Sequence, residues 1–412
     1  MPADAKFSRH LASRRTGWVL TICGPTSSIY RAAAVVSHAS PSAPKSGPSP
    51  NRLSQSSAHR SGGSGQIEHF NAFVTPSFTR LPSGCLDDGR QKNDIWAKRQ
   101  AARESAAGEA EFRSSGATCM ATTLQINLAP TDLPHLVHTL PHQIRQFGGQ
   151  VDEILLTLDL HQSRGRFGTA WKERLPGFLD FVKEQSAVHP KIRIHEVDYS
   201  RNAVTTISEQ FFGGELIPPK DKSGGPFYSY FSGFANARYD YIFHIDSDMM
   251  FGGGSQFWIA EAERLMEARP EVMFCSPHPG PPTPDGTLRS QTLPPEPYTS
   301  VAFRASHVNS RVAFFDRRRL SSQLAPLPLL QPPIIRRWQA RLEGNFPYML
   351  PEDILSLSVR RRGFLRIDFL GQQPGMWSIH RPYRNAVFYQ RLPLLIQKIE
   401  CPSSEFLGQR VG

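Results

Sequence analysis

Asp246 and Asp248 end the apolar run YDYIFHID and precede Gly252, Gly253 and Gly254. Two carboxylates one residue apart repel each other unless a positive charge stands between them, and hard divalent cations prefer such oxygen ligands. In an extended segment, residues two apart point to the same side. The same short pattern also occurs in surface turns and helix caps. A second acidic pair, Glu352 and Asp353, follows Pro351 and leads through ILSLSVRRR to Gly363. Acids at a helix start and bases at its end are ordinary capping; a rigidly held carboxylate there is also suited to taking a proton. His380, in MWSIHRPY, can bind a proton or a metal, although a lone histidine is more often a satisfied one. The three glycines lack the G-K-[ST] of a P-loop and read as flexibility beside the acids. Lys220 and Lys222 could reach a phosphate; the plainer reading makes them solvent-exposed.

The elements that must position these residues alternate from Met120 onward. TTLQINLA, VDEILLTLDL, KIRIHEVDY, DYIFHID and EVMFCSP read as strands. Between them, Leu133, Leu136, Val137, Leu140, Ile144 and Phe147 follow helical spacing behind a capping Asp132. Trp171, Leu175, Phe178, Leu179 and Val182 mark a second helix, with Pro176 a kink or restart. YSYFSGFANARY is a short helix, and Ser255 caps one carrying Trp258, Ala262, Leu265 and Met266. FLRIDFL is a strand after Gly363. Strands separated by helices predict an α/β fold, a mostly parallel sheet with helices on both faces. Ligands in such sheets lie at the carboxyl ends of the strands.

The 412 residues carry a net charge of +11, which suggests a nucleic-acid or anionic-membrane partner until it is divided. Residues 1–119 hold 15 Lys+Arg against 8 Asp+Glu, and the rest 32 against 28. The basicity therefore belongs largely to residues 1–119, where Ser, Pro and Gly dominate and too few aliphatics occur to offset chain entropy. That stretch reads as a disordered extension or an Arg/Ser-rich targeting sequence; SRRTGWVL has twin arginines without a proper apolar region after them. Residues 120–400 form the expected folded domain, beginning at a candidate initiator, Met120, and 401–412 a tail. Five scattered cysteines without a C-x-x-C pair fit a reducing compartment, hence the cytoplasm. No run approaches the ~20 apolar residues that span a bilayer. SSQLAPLPLLQPPII (321–335) is apolar and Pro-rich, an acceptor-side lid or a loop for peripheral membrane contact.

The order of these pieces resembles the family-2 glycosyltransferases of GT-A fold, over roughly residues 120–385. LAPTD, with Pro130 and Thr131, matches the family's P-T turn. The resemblance implies that Asp159 touches the nucleotide of a sugar-nucleotide donor, that Asp198 lies near its base or ribose, and that Asp246 and Asp248 form the D-x-D. It further implies Asp353 as general base beside Glu352, and His380 as a metal ligand with the two aspartates. The cofactor would be manganese or magnesium, the donor a UDP-sugar, and the acceptor a glycan, lipid or small-molecule hydroxyl, with no nucleic acid as partner. A single displacement with inversion would follow. The chain departs from the family in having LDLHQSRG in place of a D-D-G-S cluster, and in lacking the arginine-asparagine-glycine signature before the fourth strand. IIRRWQARLEG lies upstream of Glu352, where the family's Q-x-x-R-W lies downstream. Two alternatives stand: a nucleotidyltransferase, which would show a basic Gly-rich loop after the first strand, and a non-catalytic sugar-nucleotide or nucleic-acid-binding protein, for which no basic–aromatic stacking pattern is seen.

A chain beginning at Met120 is expected to unfold with the same cooperativity and midpoint as the full chain. A broadened or lower thermal transition in the shorter chain would show that residues 1–119 belong to the fold.

Overall fold

The computed structural model describes residues 120–164, 168–283, 288, 293–297, 301–380 and 385–400. The expected N-terminal extension (1–119) and tail (401–412) lie outside the described residues. β1 (Thr122–Leu128) is buried along its whole length, as a strand covered on both faces must be. The chain continues through α1 (Leu133–Phe147), β2 (Glu153–Leu158), α2 (Trp171–Val188), β3 (Ile192–Glu196), α3 (Arg201–Phe212), α4 (Tyr228–Asn236) and β4 (Tyr241–Asp246). β5 (Met250–Gly252), α5 (Trp258–Ala268) and β6 (Val272–Pro279) follow, then β7 (Ala302–Ala305) and β8 (Val312–Asp316). The chain closes with α6 (Ile334–Leu342), α7 (Pro351–Arg361), β9 (Leu365–Phe369), β10 (Trp377–Ile379) and α8 (Ala386–Glu400).

The sheet runs β3-β2-β1-β4-β8-β6-β10-β5, with β9 pairing β6 and β7. β1 is parallel to β2 and β4, β2 to β3, and β6 to β9 and β10; β8 is antiparallel between β4 and β6. Alternating strand residues feed two cores. Ile154, Leu156, Phe243 and Ile245 pack with Leu140, Phe178 and Trp258 of α1, α2 and α5. Leu155 and Ile242 pack with Phe211, Phe231 and Ile354 of α3, α4 and α7. This is the expected α/β arrangement, a mostly parallel sheet with helices on both faces. No helix among the described residues is long and apolar enough to cross a membrane.

Local details differ from the sequence reading. α2 continues unbroken through Pro176. Val137 is exposed, outside the buried stripe of α1. The Asp132 carboxylate accepts from the backbone N of Ala129 at 3.0 Å rather than capping α1. Ser255 lies two residues before the Phe257 cap of α5 and accepts from its N at 3.2 Å. α3, β5, β7, β8, α6, β10 and α8 were not anticipated. Two of the three glycines are closely packed: Gly252 lies in β5 opposite Trp377, and a Cβ there would overlap the indole ring. Gly253, at φ 94°, lies against the backbone of Gly375. Their lack of side chains permits close packing.

Gly252→Ala is accordingly expected to lower the unfolding free energy by about 1–3 kcal/mol, the usual cost of overpacking. Urea titration reads this directly, and a variant as stable as the parent would contradict the close approach of Trp377.

Candidate functional site

Asp159, Asp198 and Asp246 lie at the carboxyl ends of β2, β3 and β4, the edge where parallel sheets bind ligands. Asp248 is not on β4. It occupies the turn between β4 and β5, so the strand-parity argument does not apply to it; a bend, with Met249 N donating to Asp246 O at 3.2 Å, places it instead.

Helix α1 clasps this turn. Gln143 Nε2 donates to the carbonyls of Asp246 at 3.0 Å and Met249 at 2.9 Å. His135 Nε2 lies 3.1 Å from Ser247 Oγ. His142 Nε2 accepts from Phe251 N at 2.9 Å, which leaves Nδ1 to donate to Glu400 at 2.7 Å. All three α1 side chains are buried. They were not anticipated. Their signal was polar residues at i, i+7 and i+8 on the face that also carries Leu136 and Leu140.

His380, just past β10, meets Asp248: Nε2 to Oδ2 is 3.0 Å. Arg311 Nη1 is 3.1 Å from His380 Nδ1. A guanidinium only donates, so Nδ1 accepts and Nε2 carries the proton toward Asp248. Asp246 turns elsewhere. Its Oδ1 accepts from the Tyr230 hydroxyl at 2.8 Å and lies 3.6 Å from His244 Nε2. Burial, and then the Asp246 carboxylate, push the Tyr230 hydroxyl well above its ordinary range. Among the described residues no three His, Cys, Asp or Glu side chains converge into a ready metal group. Asp248 and His380 do supply a carboxylate and an imidazole at one point, a donor set that manganese and magnesium accept. Arg311 already places a positive charge beside them. With Nδ1 accepting from Arg311, His380 could offer Nε2 to such an ion only in its other neutral tautomer, with the proton on Nδ1 and Arg311 turned away from it.

At the other end, Asp159 is 2% exposed and fully engaged. Lys220 Nζ lies 2.5 Å from its Oδ2, and the Tyr199 hydroxyl donates to Oδ1 at 2.7 Å. Lys220, expected to be solvent-exposed, is 4% exposed. Burial, and then Asp159, raise the Tyr199 hydroxyl far above its ordinary range. Asp198 accepts from Ser200 N at 2.7 Å and Ser200 Oγ at 3.0 Å, an Asx turn leading into α3.

Glu352 and Asp353 lie in the first turn of α7, as the sequence predicts. Asp353 accepts from Leu350 N at 3.3 Å, is 38% exposed, and lies 3.9 Å from Lys222 Nζ. Glu352 Oε2 accepts from Ser310 Oγ at 3.3 Å; the next residue, Arg311, accepts through its carbonyl from Asp246 N at 2.8 Å. Both acids line a polar cavity of about 280 Å³ with Ser276, His307, Asn309, Ser378, Arg366 and Asp368. Arg366 and Asp368 form a buried two-point pair at 2.7 and 2.6 Å. R-x-D on one strand face was the available signal for that pair. Tyr230 and Arg311 gave none.

No known protein-family model matches the chain, and no curated protein matches it. Among solved structures, S. aureus TarS 1–349 in complex with UDP-GlcNAc is similar at 10% identity and TM-score 0.33, over 64% of this chain and 60% of that one. The chain thus spans about three-fifths of TarS 1–349. A mycobacterial protein is similar at 12% identity and TM-score 0.32, over 68% and 72%. Core-mannan synthase A (CmsA/Ktr4) from Aspergillus fumigatus, in its Mn/GDP form, is similar at 13% identity and TM-score 0.31, over 60% and 70%.

Removing one partner of a buried ion pair strands the other charge. Lys220→Ala is therefore expected to cost about 3–5 kcal/mol of unfolding free energy. Denaturant titration checks it; a loss below ~1 kcal/mol would mean that Asp159 is solvated or neutral.

Proposed function

We propose that residues 120–400 form a metal-assisted glycosyltransferase domain, with 1–119 an extension and 401–412 a tail. In this reading a sugar passes from a nucleotide-diphosphate donor, a UDP-sugar, to a hydroxyl acceptor with inversion. The observation that carries the reading is the 3.0 Å contact of His380 with Asp248 across 132 residues of chain, beside a cavity lined by Glu352 and Asp353. The acidic pair is tied to them indirectly: Glu352 meets Ser310, and the next residue, Arg311, meets His380.

Asp248 and His380 would hold manganese or magnesium, with Asp246 next to them. The ion, when bound, offsets the negative charge that develops on the diphosphate leaving group. Asp353 is the general base: its carboxylate is exposed to the cavity and fixed by the Leu350 N–H, so it can take the proton of an attacking hydroxyl. Glu352, held by Ser310, orients the acceptor from the same wall. Asp159 acts on the nucleotide through the groups it fixes, Lys220 and Tyr199. Asp198 lies one residue before Tyr199, at the ribose side.

The first test is a thermal-shift screen of nucleotide sugars with and without Mn²⁺, starting from UDP-GlcNAc and GDP-sugars, because a ligand specific to the native state raises its stability. The decisive variant is Asp353→Asn, which keeps size and cannot accept a proton. Donor affinity should persist while turnover falls by about two to four decades. Turnover like that of the parent would remove Asp353 from the mechanism; joint loss of binding and turnover would reduce it to a helix cap. Independently of activity, Asp248→Ala should abolish Mn²⁺ binding measured by titration calorimetry. Unchanged affinity would remove the proposed metal pair.

A further inference from the structure

α6 is the one amphipathic helix among the described residues whose apolar face points away from the protein. Ile334, Ile335, Trp338 and Leu342 are 63, 78, 59 and 86% exposed. At about 100° per residue they share an arc of roughly 100°. Ala340, 1% exposed, lies nearly opposite the centre of that arc and turns the other face toward the protein. The helix closes in a turn where Asn345 N donates to Ala340 O at 2.7 Å, and Asn345 Nδ2 reaches the Lys222 carbonyl at 3.5 Å.

The polar residues have one sign. Arg336, Arg337 and Arg341 are the only charged residues of IIRRWQARL. Arg341 borders the apolar arc, with its guanidinium 5.8 Å from the centre of the Trp338 ring. A tryptophan with aliphatic neighbours on one face and Arg341 at its edge, with the other arginines farther round, is the composition of a helix lying in a bilayer interface. The competing occupants fit less well. The four residues expose roughly 550 Å², short of the ~800 Å² per partner that a stable protein interface uses. Residues 1–119 carry a net excess of seven positive charges, so they do not complement three arginines.

We propose that α6 docks this protein on an anionic membrane surface, with Ile334, Ile335, Trp338 and Leu342 among the acyl chains and Arg341 at the headgroup phosphates. The inference does not rest on the glycosyltransferase reading. Its test is co-sedimentation of the full chain with equimolar phosphatidylcholine/phosphatidylserine vesicles and with phosphatidylcholine alone. The expected result is sedimentation with the anionic vesicles that falls about tenfold or more in the combined Ile335→Ser, Trp338→Ser and Leu342→Ser variant. That variant should melt like the parent, since all three side chains are exposed. Brominated acyl chains should also quench a component of the parent's fluorescence that Trp338→Phe removes. Equal sedimentation of parent and variant, or the absence of that quenching, overturns the proposal. So does a parent dimer that the same substitutions dissociate without any vesicle binding, because the apolar face would then belong to a second copy.

Discussion

The Gln143 amide bridging two carbonyls of the Asp246–Met249 turn is the interaction on which the site depends. A turn at the end of a buried strand leaves backbone acceptors with no ladder partner, and such groups are costly when unsatisfied. α1 answers that need from one face, with Gln143 and His135 on the turn and His142 accepting from the Phe251 N–H of β5. The turn is thereby held in one shape, and Asp248 with it. Glu400, at the far end of the described chain, fixes the His142 tautomer and so belongs to the same assembly.

On the other side, the placement of His380 follows from backbone packing. β10 has three residues and lies between β6 and β5. Trp377 can occupy its position because Gly252 has no side chain, and His380 follows three residues later at the Asp248 carboxylate. The second core, the loop at 219–226 and α7 meet opposite. There Lys222 N donates to Tyr348 O at 2.9 Å, and the Lys222 ammonium approaches Asp353. One short loop thus reaches Asp159 through Lys220 and Asp353 through Lys222.

Much of this was legible in the sequence. β1 to β4 and the helices α1, α2 and α5 have strong periodic or continuous apolar patterns, and P-E-D announced the start of α7. The sequence also located Asp246, Asp248, Asp353 and His380 as candidates, and the structure does bring His380 to Asp248. The rest was hidden for physical reasons. Whether Lys220 is solvated or buried depends on Asp159, 61 residues away, and local composition does not report it. β8 was not anticipated, and nothing local in VAFFD reveals that it enters antiparallel between β4 and β6. IIRRWQARL was a motif without a place until the burial of Ala340 alone showed which side faces the protein. The triple glycine was misread because permissive backbone and close packing leave the same letters.

The antiparallel entry of β8 between β4 and β6 carries a consequence for the order of folding. The β1-β2-β3 half of the sheet is built from consecutive crossovers, whose contacts close modest loops. β8 must return past about seventy residues to reach β4 before β6 has a neighbour on that side, and entropy makes such distant pairings late. β10 arrives later still along the chain and needs β6 in place. β4 itself pairs with β1 across 119 residues, so by the same entropy a partly folded chain would hold β1-β2-β3 with Asp159 positioned, and neither Asp246 nor the His380–Asp248 contact in place. That contact is completed only when β10, the last strand in the chain, arrives.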